Sequence, residues 1–246
     1  MGKLIAVLSG KGGTGKTSLC AGIASALAAS GERVLCIDCD IGLRNLDISL
    51  GLADYCALSF TDVCSGNYPL EKASQHPDFP TLYFLTAPAS CSAADIDEAQ
   101  FAAFLEEAKQ QFQFIFLDAP AGIEAGFHLC AKNADQVVLV TGADPASVRD
   151  AARAGELLEK MGKNQVRVVV NRVNEKLYRT VCVTIDDVMD RAGLPLLGIV
   201  PDDPDVTLAA AFEQPLLCYN KRASAAKACK RIAKRIQGFP EPIPFR

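Results

Sequence analysis

The chain of 246 residues is half hydrophobic and carries a formal net charge of −4, with a sequence pI near 5.3. This length can bury one sizeable α/β core, which excludes a small disulfide-stapled scaffold. A mildly acidic balance does not indicate a nucleic-acid surface, and no apolar run reaches the ~18 residues of a membrane span. The N-terminus shows no signal region, so the sequence predicts a single cytoplasmic domain over residues 1–246.

Short apolar or β-branched runs alternate with helical patterns along the chain. Nearly all-apolar strands in such an alternation predict a doubly wound α/β fold, a mostly parallel sheet with helices on both faces. Residues 53–80 are the least regular part. Strands are predicted over 3–9, 33–38, 82–86, 113–118, 136–141, 165–171 and 196–200, and helices over 16–30, 95–111, 145–161, 183–192, 204–212 and 220–237.

A glycine-rich loop joins the first predicted strand to the first helix. Gly10, Gly15, Lys16 and Thr17 fit the pattern G-x-x-x-x-G-K-[ST], in which backbone N–H groups and a helix N-terminus surround phosphate oxygens. Lys16 is expected to contact the β and γ phosphates, and the Thr17 hydroxyl to bind Mg²⁺. An ordinary strand-to-helix turn is the alternative. The pattern predicts a site for ATP or ADP with Mg²⁺, whose cradle is completed by Gly12, Gly13, Thr14 and Ser18.

A second lysine, Lys11, stands at the start of this loop, where it can hardly fold back onto phosphates held beside Lys16. Residues 11–17, Lys-Gly-Gly-Thr-Gly-Lys-Thr, resemble the deviant Walker A loop of the MinD/ParA ATPases. The resemblance covers essentially the whole chain. It implies that Lys11 reaches across an ATP-dependent homodimer to the partner's nucleotide, and that Asp150 pairs with Lys11 in the resting state. A solvated surface lysine is the alternative interpretation of Lys11.

Aspartates follow two of the predicted strands. Asp118 ends an apolar strand in the Walker B arrangement, in which a carboxylate orients Mg²⁺ or its water. Residues 38–47 resemble switch I of the MinD branch of the family, and residues 119–124 resemble its switch II. The resemblance implies that Asp38 holds Mg²⁺ through water and that Asp40 positions the attacking water. Lys11, Lys16 and Asp40 are thus the predicted catalytic residues, whereas a solvated polar loop is the alternative for residues 38–47.

Two later strand ends carry residues that the resemblance places around the adenine base. Asn171 has a side-chain amide with both a donor and an acceptor, as an adenine edge requires. Arg172 follows it, and the resemblance implies that the loop with Pro201 and Asp203 frames the base. An ordinary turn residue is the alternative for Asn171.

The ten cysteines are scattered, mostly inside apolar runs, with Cys36 and Cys39 as the only close pair. Side chains alternate along a strand, so this pair would place its sulfurs on opposite faces. We interpret the cysteines as reduced thiols that fill the core, rather than as disulfides or a metal site.

The last predicted helix bears on membrane binding, because MinD chains usually continue past it into a basic amphipathic targeting helix. Ala225, Cys229, Ile232 and Ile236 recur at helical spacing among lysines and arginines, so the helix is expected to pack on the domain. Ile232, Ile236 and Phe239 are few and are expected to be needed by the core. We therefore expect weak, salt-sensitive membrane binding or none, and only peripheral association with the inner face of the cell membrane.

These features predict an ATP-dependent dimerising switch, a weak Mg²⁺-dependent ATPase that resembles MinD and acts in spatial regulation of cell division with a regulatory partner protein. The first alternative is a ParA-type partitioning ATPase that binds DNA nonspecifically, for which only the C-terminal helix offers a basic face. The second is an iron–sulfur carrier ATPase, which would need paired cysteines after the Walker B strand, where Cys130 has no evident equivalent. No specific nucleic-acid partner is expected.

Overall fold

The computed structural model describes residues 1–89, 91–174 and 185–243. In these ranges the strands form one eight-stranded sheet in the order β3-β4-β2-β5-β1-β6-β7-β8, in which only β3 runs antiparallel to its neighbour. The predicted doubly wound, mostly parallel sheet is confirmed. The strands are β1 (Lys3–Leu8), β2 (Val34–Asp38), β3 (Ser74–Gln75), β4 (Leu82–Leu85), β5 (Phe114–Asp118), β6 (Gln136–Thr141), β7 (Val166–Val173) and β8 (Leu196–Pro201).

Helices cover both faces of this sheet, because side chains of each strand point alternately into one core and the other. None of the helices in the described ranges is long and apolar enough to cross a membrane. They are α1 (Lys16–Ala29), α2 (Leu46–Leu50), α3 (Phe60–Cys64), α4 (Glu98–Gln111), α5 (Ala125–Asn133), α6 (Pro145–Lys160), α7 (Ile185–Ala192), α8 (Pro204–Ala211), α9 (Leu216–Tyr219) and α10 (Ser224–Gln237).

Helix α1 packs on the sheet and against α10, which itself packs on β8, and the small side chains of α1 permit close contact. A Cβ on Gly22 would lie 2.7 Å from the Sγ of Cys229 on α10. Along α10, Ala225, Cys229, Ile232 and Ile236 are buried, as their helical spacing predicts. The helix that follows the phosphate loop is therefore fixed by contacts with the sheet and with α10.

Several short elements depart from the predicted ones. Helices α2, α3, α5 and α9 and the two-residue strand β3 are not among the predicted elements. Helix α4 begins at Glu98 rather than 95 because the Asp97 carboxylate accepts hydrogen bonds from the backbone N–H groups of Ala99 and Gln100. Helix α10 begins at Ser224 rather than 220 because α9 ends at Tyr219 and a turn follows. The first two residues of the helix predicted over 183–192 lie outside the described residues.

The cysteines are only partly core residues. All those that the structure describes are free thiols, and Cys36 and Cys39 belong to the cores on opposite faces of the sheet, as the alternation predicts. Cys56 and Cys218 are exposed, so the prediction of core packing is wrong for these two. Cys182 lies outside the described ranges.

The segment after α10 also differs from its prediction. Phe239 is 59% exposed and does not belong to the core. Gly238, with a left-handed φ of 100°, ends the helix, and the chain turns back along it. The Arg235 guanidinium donates hydrogen bonds to the carbonyls of Glu241, Pro242 and Leu197, which fixes the tail against β8. The turn and this clamp direct Phe239 away from the core.

Candidate nucleotide-binding site

The phosphate loop joins β1 to α1 at the carboxyl edge of the sheet. Gly13 and Gly15 have left-handed φ values of 77° and 79°, which a residue with a side chain rarely adopts. A Cβ on Gly15 would also lie 2.4 Å from the Nδ2 of Asn171. The first turn of α1 contains no acidic residue, so the positive end of its dipole is free to attract an anion.

Lys16 forms a buried ion pair with Asp118 at the tip of β5. Its Nζ donates to Asp118 Oδ1 at 3.1 Å, and the two side chains are 7% and 1% exposed. Burial lowers the pKa of Lys16, but the Asp118 carboxylate outweighs it and raises the pKa above its usual value. The other carboxylate oxygen, Asp118 Oδ2, is buried without a hydrogen-bond partner. A buried, unpartnered oxygen is costly, and a cation would satisfy it.

Asp38 lies beside Asp118, because the last residues of β2 and β5 are paired in register. It is fully buried, and its two oxygens accept the backbone N–H groups of Asp40 at 2.9 Å and Leu46 at 3.1 Å. Burial and the neighbouring Asp118 charge raise the pKa of Asp38 to about 7. The first of these hydrogen bonds fixes the start of the predicted switch I, and the second fixes the N-terminus of α2.

Thr17 and Asp40 complete the cluster of polar and charged side chains around Lys16. Burial raises the pKa of Asp118, and the charge of Lys16 and a hydrogen bond from Thr17 offset this only in part, so the Thr17 side chain lies next to this carboxylate. The pKa of the half-buried Asp40 lies above its usual value, because the effect of burial exceeds the lowering by the charge of Lys16. The structure thus brings together Lys16, Thr17, Asp38, Asp40 and Asp118, from three separate segments of the sequence.

A cleft of about 560 Å³ opens next to the loop, between the carboxyl ends of β6 and β7. Lys11 lies at this cleft, with its Nζ 3.4 Å from Asp144 Oδ1. The prediction that Asp150 pairs with Lys11 is wrong. The Lys11 ammonium group contacts Asp144 instead, and the main chain of Asp150 packs against Gly10. The cleft is lined by Lys11, Gly12, Gly13, Thr14, Asp144, Asn171, Arg172 and Asp202, among others.

Asn171 and Asp203, which were predicted to lie around the adenine base, form hydrogen bonds within the protein. The Asn171 Nδ2 donates to the Thr14 carbonyl at 2.8 Å and thereby holds the phosphate loop. The Asp203 carboxylate caps two helices, since it accepts from the Asp205 N–H of α8 and from the Ser224 hydroxyl and Ala225 N–H of α10.

Three other residues were predicted to contact the nucleotide. Arg172 has a left-handed φ of 56° and lies 3.6 Å from Asp202. Pro201 pairs with Val173 at the end of β8. Ser18 faces away from the large cleft and lines a separate cavity of about 20 Å³ between α1, α2 and α8. The nucleotide contacts of these residues stay predictions.

The residues present fit a nucleoside phosphate and Mg²⁺. Left-handed glycines and an uncompensated helix N-terminus suit phosphate oxygens. Two adjacent buried carboxylates with one unpartnered oxygen, next to a threonine hydroxyl, form the oxygen donor set that Mg²⁺ prefers.

The sequence interpretation missed Asp144 as the partner of Lys11. A local signal for this residue exists, because Asp144 precedes Pro145 at a helix start, and Asp followed by Pro is typical of an N-cap. That signal predicts the cap, but the contact with Lys11 spans 133 residues of sequence and depends on the fold.

Comparison with known proteins agrees with this geometry. Residues 5–216 match the family described as the CobQ/CobB/MinD/ParA nucleotide binding domain. The chain belongs to this family. The septum site-determining protein MinD of Synechocystis is 35% identical over 247 residues, which cover 100% of this chain and 92% of the relative. MinD of Bacillus subtilis is also 35% identical, over 99% of this chain and 92% of the relative.

Solved structures show the same fold. The MinC:MinD cell division protein complex of Aquifex aeolicus contains a chain that superposes with a TM-score of 0.90 at 33% identity, covering 99% of this chain and 98% of that one. MinD of Pyrococcus horikoshii, complexed with Mg-ADP, gives a TM-score of 0.83 at 26% identity, covering 96% of each chain. The predicted resemblance to the MinD/ParA family is confirmed.

Proposed function

We propose that the protein is a MinD-type ATPase that hydrolyses ATP to ADP and phosphate and switches between monomer and dimer to regulate where the cell divides. The observation that carries the proposal is the buried Lys16–Asp118 pair next to Asp38, at the end of a deviant Walker A loop. The full-length similarity to curated MinD proteins supports the same function. The Aquifex MinC:MinD complex supports a regulatory protein partner.

In this proposal, the backbone of residues 12–15 and the α1 N-terminus hold the phosphates, while the cleft lined by Asn171 and Arg172 receives the nucleoside. Thr17, Asp38 and Asp118 would hold Mg²⁺, which neutralises charge on the β and γ phosphates when bound. Lys16 then turns from Asp118 to the phosphates. Asp40 orients water for in-line attack, and Lys11 of a second subunit stabilises the developing negative charge.

Hydrolysis is tested with three variants. Lys16→Ala should abolish nucleotide binding, and Thr17→Ala should mainly lose Mg²⁺ dependence and turnover. Asp40→Ala should keep ATP affinity and lose turnover, because it removes the group that orients water but no phosphate contact. Calorimetric ATP titration and phosphate release separate binding from turnover. Normal turnover in Lys16→Ala would refute the site, and equal loss of affinity and turnover in Asp40→Ala would show that Asp40 serves the binding of ATP.

Dimerisation is tested by light scattering. The Asp40→Ala protein should be a monomer with ADP and a dimer with ATP, because the γ-phosphate contributes binding energy across the two-fold interface. Adding Lys11→Ala should return it to monomer while ATP binding to the monomer stays nearly intact. A Lys11→Ala protein that still dimerises with ATP contradicts the role of Lys11 across the interface.

Membrane binding should be weak. The apolar residues of α10 are buried in the core, so the helix presents mainly its basic side chains to a surface. Such charges contribute roughly 1 kcal/mol each near an anionic membrane and are screened by salt. ATP-dependent co-sedimentation with anionic liposomes should be slight and should vanish at moderate salt. Strong, salt-resistant binding would contradict this expectation.

The same helix favours a second candidate function, a ParA-type ATPase that binds DNA nonspecifically. Every charged residue from 214 to 240 is a lysine or arginine, and Lys221, Arg222, Lys227 and Lys234 are exposed. DNA binding whose affinity falls steeply with salt, and more steeply than liposome binding, would favour this second function.

The iron–sulfur alternative has less support. Cys130, on which it depends, is fully buried in the core on the α5 side of the sheet. Its thiol is therefore not presented at a surface where two subunits could share a cluster.

A further inference from the structure

A proline that follows the tip of β5 packs against the first turn of α5. Pro120 belongs to residues 119–124, which resemble switch II, and Gly126 is the second residue of α5. A Cβ on Gly126 would lie 2.3 Å from the Cγ of Pro120 and 2.8 Å from its Cδ. Two carbons that are not bonded to each other separate to about 3.5–4.0 Å, so the proline ring occupies the space that a side chain at position 126 would need.

The backbone of α5 does not by itself require glycine at this position. Gly126 is part of the helix and has no left-handed φ, so its conformation is one that every L residue can adopt. Inside a helix, glycine is less favourable than alanine, because it loses more conformational freedom on folding. The contact with Pro120 therefore explains why a glycine stands here.

Pro120 also lies in the segment that runs along the phosphate loop. The N–H of Gly122 donates to the Ser9 carbonyl at 3.2 Å. A Cβ on Gly12 would lie 3.8 Å from the Cβ of Ala121, which is an ordinary contact distance. Residues 119–122 therefore run from the tip of β5 along the start of the phosphate loop.

Helix α5 is anchored more firmly than this segment. Directly after Gly126, Phe127 is fully buried in the core, and so is Cys130 one turn later. Pro120, in contrast, is only half-buried, and Ala121 is exposed. A methyl group added at position 126 would therefore displace Pro120 rather than the helix.

We propose that Gly126 is a positioning residue for ATP hydrolysis, because it lets Pro120 pack against α5 and so sets where residues 119–122 lie beside the phosphate loop. The inference rests on the proposed function, in which water attacks a nucleotide held by this loop. Gly126 is buried and takes no part in the proposed contacts with phosphate or Mg²⁺. Turnover depends on the exact position of the groups around the phosphates, so displacement of the segment should slow turnover more than it weakens ADP binding.

Gly126→Ala tests the role. In single-turnover phosphate release with Mg²⁺ and ATP, this variant should be at least about tenfold slower than the unmodified chain, because misplacement by about 1 Å can cost that much. Calorimetric titration should show unchanged ADP affinity. Gly155→Ala is the matched control and should keep normal turnover. It adds the same methyl group at a buried position of α6, where the nearest atom is the flexible Leu194 Cδ1 at 3.3 Å.

A second substitution tests whether the effect passes through Pro120. A Cβ on Gly126 would lie 3.7 Å from the Cβ of Pro120, so Pro120→Ala removes the clashing ring atoms and leaves room for Gly126→Ala. Whatever Pro120→Ala alone does to turnover, the addition of Gly126→Ala should then change it by no more than about twofold.

Several outcomes would overturn the proposal. Unchanged turnover in Gly126→Ala would refute the role and leave the proposed function intact. A tenfold loss that persists in the Pro120→Ala background would show that Gly126 does not act through Pro120. Equal losses of ADP affinity and turnover would indicate a general defect of the fold.

Two further results separate the causes of failure. If Gly126→Ala does not fold, the proposal still requires that the variant with both substitutions folds, and failure of that variant to fold overturns it. Absence of ATP hydrolysis by the unmodified chain would overturn the proposed function, and this inference with it.

Discussion

The two walls of the candidate site use charged residues in different ways. On the wall formed by β1, β2 and β5, Lys16, Asp38 and Asp118 are buried next to one another. On the wall formed by β6, β7 and β8, Asp144 and Asp203 are more accessible to solvent and cap helices. Buried charges are tolerated only when they are paired or bind an ion. The charged residues of the first wall therefore fit a bound cation and phosphates. The second wall combines predicted ligand contacts with helix capping.

The largest effect is expected on the buried wall. Lys16→Ala should lower the free energy of unfolding of the nucleotide-free protein by about 3–5 kcal/mol, because it leaves Asp118 buried without its partner. Removing both charges, in Lys16→Met with Asp118→Asn, should cost less than Lys16→Ala alone. Urea unfolding measures both, with the exposed Lys160→Ala as the control. If the double variant loses at least as much stability as Lys16→Ala, an unpaired Asp118 is not the cause of the loss in Lys16→Ala.

On the other wall, Asp203→Ala should lower the free energy of unfolding by about 2 kcal/mol, since one carboxylate caps both α8 and α10 and each cap contributes about 1 kcal/mol. Its neighbour Asp202 is the matched control, because its contact with Arg172 is an exposed pair that contributes about 0–1 kcal/mol. Denaturant titration of Asp203→Ala and Asp202→Ala makes the comparison. Equal losses would mean that the two caps contribute little.

Asn171 separates the structural and binding roles of the second wall. Because its amide holds the Thr14 carbonyl, Asn171→Ala should weaken ADP and GDP binding alike, by about fivefold for one lost hydrogen bond. Calorimetric titration with both nucleotides measures the change. A selective loss of ADP affinity would instead assign the side chain to the adenine base, as the family resemblance implies.

The smallest effect is expected away from both walls, at His76. Its Nδ1 accepts the backbone N–H groups of Asp78 and Phe79, so Nε2 carries the proton and donates to the Leu50 carbonyl at the end of α2. Burial lowers the pKa of His76 from its usual 6.5. Its contribution to stability is therefore complete above pH 6.5 and is lost as the pH falls through the lowered value.

His76→Gln should reduce the dependence of unfolding free energy on pH below 6.5, because glutamine does not titrate. The exposed His128→Gln is the matched control and should keep the dependence of the unmodified chain. Denaturant titrations at several pH values measure both. The same slope in all three proteins would show that His76 does not contribute to the pH dependence of stability.

The sequence by itself determined the phosphate loop and the doubly wound sheet, because both arise from local patterns. Left-handed glycines, an uncapped helix start and apolar strands that end in aspartate are properties of short segments. Asp38 and Asp118 follow from the same logic, since parallel strands bring their carboxyl ends to one edge.

Only the tertiary structure decided which side chains meet across distant segments. Lys11 pairs with Asp144 rather than Asp150 because the ends of β1 and β6 bring residues 133 positions apart into contact. Asp203 caps α10 because β8 ends next to the start of that helix, and Phe239 is exposed because Arg235 clamps the tail in a reversed direction. No local pattern encodes such contacts, since each depends on where two separately formed elements pack in the fold.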